Sequence, residues 1–121
     1  MGKLHLGYVN IFVSDLDRAV TFYRDTLGLD LNMADADFGY ASFQAGTVGF
    51  ACAVAGTDQQ ELIGRHTGVG FIVDDLDATY AELSAKGVAF SMPPERQPWG
   101  GYLALFEDPD GNIFYLDPGQ S

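Results

Sequence analysis

Two stretches of this 121-residue chain follow one plan. Val9-Asn10-Ile11-Phe12-Val13-Ser14-Asp15-Leu16-Asp17 returns, at an offset of 60, as Val69-Gly70-Phe71-Ile72-Val73-Asp74-Asp75-Leu76-Asp77. Each copy reads as an apolar strand that stops at a helix cap. Each is followed by a helix-period pattern that ends in glycine. A strand–helix unit written twice in so short a chain predicts two half-domains that need each other, with room for a site between them.

The elements follow from periodicity. Leu6–Val13 reads as a strand in which Val9, Ile11 and Val13 alternate with Tyr8, Asn10 and Phe12. The aliphatic set suits burial under a helix, and the Tyr/Asn/Phe set faces the other way. Ser14 is the expected N-cap, and Leu16, Val20, Tyr23 and Leu27 recur at helical spacing before Gly28. Leu29–Met33, Tyr40–Ala45 and Thr47–Ala53 read as strands. In the second copy Val69–Val73 is a strand, Asp74 a cap, and Leu76, Tyr80 and Leu83 a helix face before Gly87. Val88–Met92, Tyr102–Phe106 and Asn112–Asp117 read as further strands. Residues 93–101 hold three prolines and two glycines and read as a loop, while Asp108-Pro109-Asp110-Gly111 suits a type I turn. The whole is a tandem of two βαβββ modules of α+β class, forming one domain over 1–121. Module one spans 4–55, a polar linker 56–66, and module two 67–118.

Composition narrows the partners. Seventeen acids against six bases give a formal charge of −11. That field repels nucleic acid and anionic membrane and favours small cations, although it also serves solubility. Nine Phe, six Tyr and one Trp exceed what core filling usually asks, so some rings should line a cavity. Cys52 is the single cysteine, which suits a reduced, cytoplasmic setting. No apolar run reaches the roughly 18 residues of a membrane span, and no signal-peptide core is evident.

Val13-Ser14-Asp15-Leu16-Asp17-Arg18-Ala19-Val20-Thr21-Phe22-Tyr23 with Leu27-Gly28-Leu29 resembles the vicinal oxygen chelate superfamily. Trp99-Gly100-Gly101 followed by Phe106-Glu107-Asp108-Pro109-Asp110-Gly111-Asn112 carries the same resemblance, which covers roughly Leu6 to Pro118. That group includes glyoxalase I, extradiol dioxygenases, fosfomycin-resistance enzymes and bleomycin-resistance proteins. The resemblance implies a cupped mixed sheet around a cavity, helices outside, and a homodimer. In metal-dependent members it also implies four ligands on equivalent strand positions, two per module.

Transferred one at a time, those positions fall at Tyr8, at Gly68, at Tyr115 and near Phe50. None is an imidazole or carboxylate, the donors such metals need. The reading is therefore no cofactor. The alternative is one divalent metal (Zn, Ni, Mn or Fe) recruited through His5, His66 and Glu107, which would make the chain a lyase, isomerase or dioxygenase. The plainer reading leaves His5 at the surface and His66 at a cavity rim.

Parity puts Tyr8, Asn10 and Phe12 opposite Gly68, Gly70 and Ile72 on the concave face, with Phe50, Cys52, Ile113 and Tyr115 facing the same space. Rings opposite bare glycines leave a slot for a flat ligand. Trp99 and Tyr102, beside a Gly-Gly pair, form an aromatic rim. Trp-Gly-Gly before the Asp-Pro-Asp-Gly strand resembles the bleomycin-resistance proteins, acidic metal-free dimers that sequester a cationic drug. The expected site is thus Tyr8, Asn10, Phe50, Gly68, Trp99, Tyr102 and Tyr115. The expected role is metal-independent binding of a small aromatic molecule, cationic members favoured, with no catalytic residue assigned.

Overall fold

The computed structural model describes residues 3–119. They divide into two compact units, one running to Ile63 and the other beginning at Gly64. The first contains β1 (Tyr8–Val13), α1 (Leu16–Val20), β2 (Asp30–Asp35), β3 (Tyr40–Ala45) and β4 (Val48–Val54), with a short 3-10 turn at Gln60–Leu62. The second contains β5 (His66–Ile72), α2 (Leu76–Ala85), β6 (Ala89–Arg96), β7 (Tyr102–Glu107) and β8 (Ile113–Asp117). The sheet orders correspond: β1-β4-β3-β2 and β5-β8-β7-β6. In each, the first strand pairs parallel with the last and the other pairs are antiparallel. Two four-stranded mixed sheets and two helices make an α+β chain of tandem βαβββ modules, as the repeat predicts.

Strand alternation decides what each helix covers. On β1, Ile11 and Val13 are buried while Tyr8 and Asn10 are exposed. Tyr23, just after α1, is fully buried, with ring centroids 5.9 Å from Phe43 and 5.0 Å from Phe50. In the second unit Phe71, Phe106 and Phe114 stack within 6.0 Å of one another, and Phe90 joins through Phe106. Leu76 and Leu83 of α2 are buried.

Three expectations shift. Helix capping falls one residue later than the strand ends suggest: Asp15 accepts from the Arg18 N–H and Asp75 from the Ala78 N–H, both at 3.0 Å. Ser14 instead receives the Arg18 guanidinium at 2.8 Å. Residues 93–96 are strand rather than loop, because β6 lies at the sheet edge, where prolines need not donate, and its register slips there. Finally, α1 continues as a π-helical turn over Thr21–Thr26, where the Leu27 N–H reaches back five residues to the Phe22 carbonyl at 2.9 Å. Gly28 lies 13 residues after the Asp15 cap, whereas Gly87 lies 12 after Asp75. The wider turn takes up the extra residue.

The Asp108–Asn112 turn is a polar knot. Asp108 Oδ1 accepts from the backbone N–H groups of Asp110 and Asn112, both at 2.9 Å, and Oδ2 accepts from Asn112 Nδ2 at 2.8 Å. Asn112 is 1% exposed, and its Oδ1 takes the Gly64 N–H at 2.8 Å. The closing turn of the second unit thus grips the segment that leads into β5. Asn112→Ala would strip partners from two groups at once. We expect a loss of about 2–3 kcal/mol, read from urea unfolding. An unchanged midpoint would show that the knot is not structural.

Candidate ligand-binding faces

Each sheet has one face under its helix and a second that presents a different chemistry. In the first unit Tyr8 pairs with Gly49, Asn10 with Ala51 and Phe12 with Ala53. On the far side of β4, Gly49, Ala51 and Ala53 pair with Gln44, Ser42 and Tyr40. A row of small residues therefore runs between two rows of rings and polar groups. Space at Gly49 is tight, because a Cβ there would stand 3.3 Å from both the Gly7 carbonyl and Tyr8 Cβ. Tyr8 is 64% exposed.

In the second unit the sizes are reversed. The edge strand β5 carries the bare positions and β8 the bulk. Gly70 pairs with Tyr115, and a Cβ at Gly70 would meet Tyr115 Cβ at 3.5 Å. Gly68 has φ +74 and open space where a Cβ would lie. It sits in a bulge: four residues of β5 from His66 to Gly70 span only two of β8, Ile113 to Tyr115. Side chains repair the broken ladder. Thr67 Oγ1 donates to the Ile113 carbonyl at 2.7 Å and accepts the Val69 N–H at 3.1 Å. His66 Nδ1 accepts the Gly68 N–H at 3.1 Å. The imidazole meets Tyr115 edge-on, centroids 4.9 Å apart. Glu107 pairs with Ile113, so it shares this face with His66 from two strands away.

The expected site residues separate. Tyr8 and Asn10 lie on the open face of the first unit, and Gly68 and Tyr115 on that of the second. Phe50 does not belong with them. It pairs with Val9, is 2% exposed and packs on Tyr23 in the helix-side core, with Cys52 buried on the same face. The expectation missed the strand's phase by one residue, which flips a side chain to the other face.

Tyr102 also points the other way. It lies on the helix side of β7, where its hydroxyl donates to Asp77 Oδ1 of α2 at 2.5 Å and the Arg96 guanidinium sits 5.1 Å from its ring. That hydrogen bond, with burial and the Asp77 charge, raises the phenol above its ordinary value. Trp99 is 72% exposed at the tip of the β6–β7 hairpin, closed by the Gln97 N–H to the Gly101 carbonyl at 2.6 Å. Its indole lies over Gly101, where a Cβ would meet Nε1 at 2.7 Å. Tyr40, Ser42 and Gln44 share the open face of the first unit with Tyr8 and Asn10, and the alternation of β3 sets them opposite buried Ala41 and Phe43.

The first unit also has a recess of about 500 Å³ between the start of α1 and the β2–β3 turn, with Asp15, Asp17, Asp37 and the exposed Phe38 among its lining.

The donors at the four positions where a metal is implied do not fit one. Strand phase puts Gly49, not Phe50, beside Tyr8, and Gly49 brings no ligating side-chain atom. Among the described residues no group of three or more His, Cys, Asp or Glu side chains stands ready to hold a metal ion. The alternative set is not gathered in either unit: His5 precedes β1, while His66 and Glu107 lie in the second. Also among the described residues, no helix is long and apolar enough to cross a membrane.

The sequence profile of the glyoxalase/bleomycin resistance protein/dioxygenase superfamily matches residues 5–116, across both units. The chain belongs to that superfamily. A Bacillus subtilis (strain 168) relative, the uncharacterized protein YraH, is 30% identical over 124 residues, covering 93% of this chain and 97% of its own. A superfamily member from Sphaerobacter thermophilus DSM 20745 superposes with a TM-score of 0.81 at 32% identity, over 94% of this chain and 96% of that one. TnmS3, an antibiotic binding protein from Streptomyces sp. CB03234, does so with 0.79 at 29% identity, over 97% of each chain. Within the glyoxalase/bleomycin resistance protein/dioxygenase superfamily the fold alone does not select an activity.

The Tyr102–Asp77 bond makes a pH prediction. Because the folded phenol value is raised, its contribution is complete below the ordinary 10.0 and is lost as pH climbs through the raised value. Urea unfolding between pH 9 and 11.5 should show this loss in the natural chain and a flatter profile in Tyr102→Phe. Identical slopes would dismiss the bond as a stabilising contact.

Proposed function

We propose that this chain binds a small aromatic molecule on its open sheet faces without a metal, in a sequestering, antibiotic-resistance type of role. The observation that carries the reading is the pairing of tyrosine with glycine on each face: Tyr8 beside Gly49, and Tyr115 beside Gly70. A ring next to a position without a side chain offers a flat ligand a stacking surface and the clearance to reach it. Asn10 supplies a hydrogen-bonding group beside Tyr8. The formal charge of −11 favours a cationic substituent, by long-range attraction and by cation–π contact. The likeness to TnmS3, described as an antibiotic binding protein, supports the same role. Donors unsuited to a divalent ion support metal independence. The protein acts in this reading as a cytoplasmic homodimer, with Trp99 reaching the ligand from its hairpin.

Proflavine, a planar cation, is the first probe, titrated against protein dialysed with a chelator and checked for metal by elemental mass spectrometry. We expect saturable binding and a raised Tm that chelation does not alter. Trp99→Ala combined with Tyr115→Ala should weaken binding about tenfold or more, as expected for lost aromatic stacking. Natural affinity in the double variant would refute the placement of the site. Binding restored only by added metal would refute metal independence.

A further inference from the structure

The bulge in β5 does more than break a ladder. Its second extra residue, Gly68, turns its N–H onto His66 Nδ1 at 3.1 Å. In a neutral imidazole one nitrogen accepts and the other carries the proton. With Nδ1 accepting, the proton belongs to Nε2. The Tyr115 ring packs edge-on against the same imidazole, at 4.9 Å, and limits its rotation. His66 is therefore oriented by two independent contacts on the open face, and the Gly68 N–H selects the Nε2–H tautomer of the neutral ring.

The floor beside it is bare. Gly68 has nothing within 4 Å of where a Cβ would stand, and Gly70 leaves Tyr115 uncovered on the β5 side. The bulge follows from this arrangement. A regular β5 would pair every residue with β8, whereas the bulge places His66 level with Ile113 and keeps Gly70 level with Tyr115. Gly68 is required at φ +74, a conformation costly for other residues. Bulged backbone is a common way to re-aim a side chain.

We infer that His66 is the specificity-determining donor of the second unit's face. Its Nε2–H hydrogen-bonds an in-plane oxygen acceptor, such as a ring carbonyl, of a flat aromatic ligand stacked on Tyr115 over Gly68 and Gly70. The inference rests on the aromatic-binding reading above and adds the ligand's chemical class: planar aromatics with an oxygen acceptor at the ring edge. A flat hydrocarbon would use Tyr115 and the glycine floor but leave Nε2–H to water.

The test uses two probes that share a rigid planar frame and an ammonium group and differ in one oxygen: 2-(aminomethyl)fluoren-9-one and 2-(aminomethyl)fluorene. The natural protein should prefer the ketone. His66→Phe keeps a ring against Tyr115 and removes the donor. His66→Asn keeps an acceptor for the Gly68 N–H, so the bulge survives, but its shorter side chain brings no donor to the place of Nε2. Both variants should lose about fivefold in affinity for the ketone, the worth of one neutral hydrogen bond, and little for the hydrocarbon. Tyr115→Ala should weaken both probes alike.

The outcomes separate the two claims. If Tyr115→Ala weakens both probes and either His66 variant retains the full ketone preference, the donor assignment is wrong and the aromatic face stands. If Tyr115→Ala leaves both unchanged, or the natural protein binds neither probe, the aromatic reading of this face fails and the donor assignment with it. A drop in Tm confined to His66→Phe is expected from the orphaned Gly68 N–H. In that case His66→Asn, at natural Tm, decides.

Discussion

A four-stranded sheet has two faces, and each unit of this chain supplies one helix. That helix can cover only one of them, and the rest of the structure answers to this shortage. The covered faces gather the bulky aromatics: Tyr23, Phe43 and Phe50 in the first unit, and Phe71, Phe90, Phe106 and Phe114 in the second. Burial of rings of this size dominates the apolar free energy of so small a fold. The opposite faces carry a different set of residues. There the chain sets tyrosine beside glycine, asparagine beside alanine, and histidine beside a bulge.

The two units solve the same geometry with opposite allocations of bulk. In one the edge strand β1 holds the rings and the inner strand β4 is small; in the other the edge strand β5 is small and the inner strand β8 holds Tyr115. Their backbones match element for element while their open surfaces differ. A repeat that had kept its side chains would offer the same surface twice. This one offers two different surfaces, one on each unit. In each unit the covered face carries the aromatic packing, and the open face is free of that duty.

Much of this was legible in the sequence. The offset of 60 between Val9 and Val69 announced the tandem modules, and alternation on β1 correctly separated Val9, Ile11 and Val13 from Tyr8, Asn10 and Phe12. What failed did so for a phase reason. Nothing in Thr47–Ala53 marks where the strand's alternation begins, and an error of one residue moved Phe50 from the core to the pocket. Tyr102 was misassigned because its partner, Asp77, lies 25 residues away, and no local pattern announces that hydrogen bond. The β5 bulge was equally hidden. Gly68 and Gly70 signal a weak strand, but only the pairing with Ile113 and Tyr115 shows that two residues are surplus.

The π-helical turn at Thr21–Thr26 lets two helices of unequal length keep matching ends. The cap-to-glycine interval is one residue longer in the first copy than in the second, and a single wide turn is the footprint of that difference. The extra residue is absorbed inside a helix, leaving the capping aspartate and the terminating glycine in matching places. The two helices therefore keep one frame at unequal length, where an extra residue in a regular helix would rotate every residue after it onto a new face.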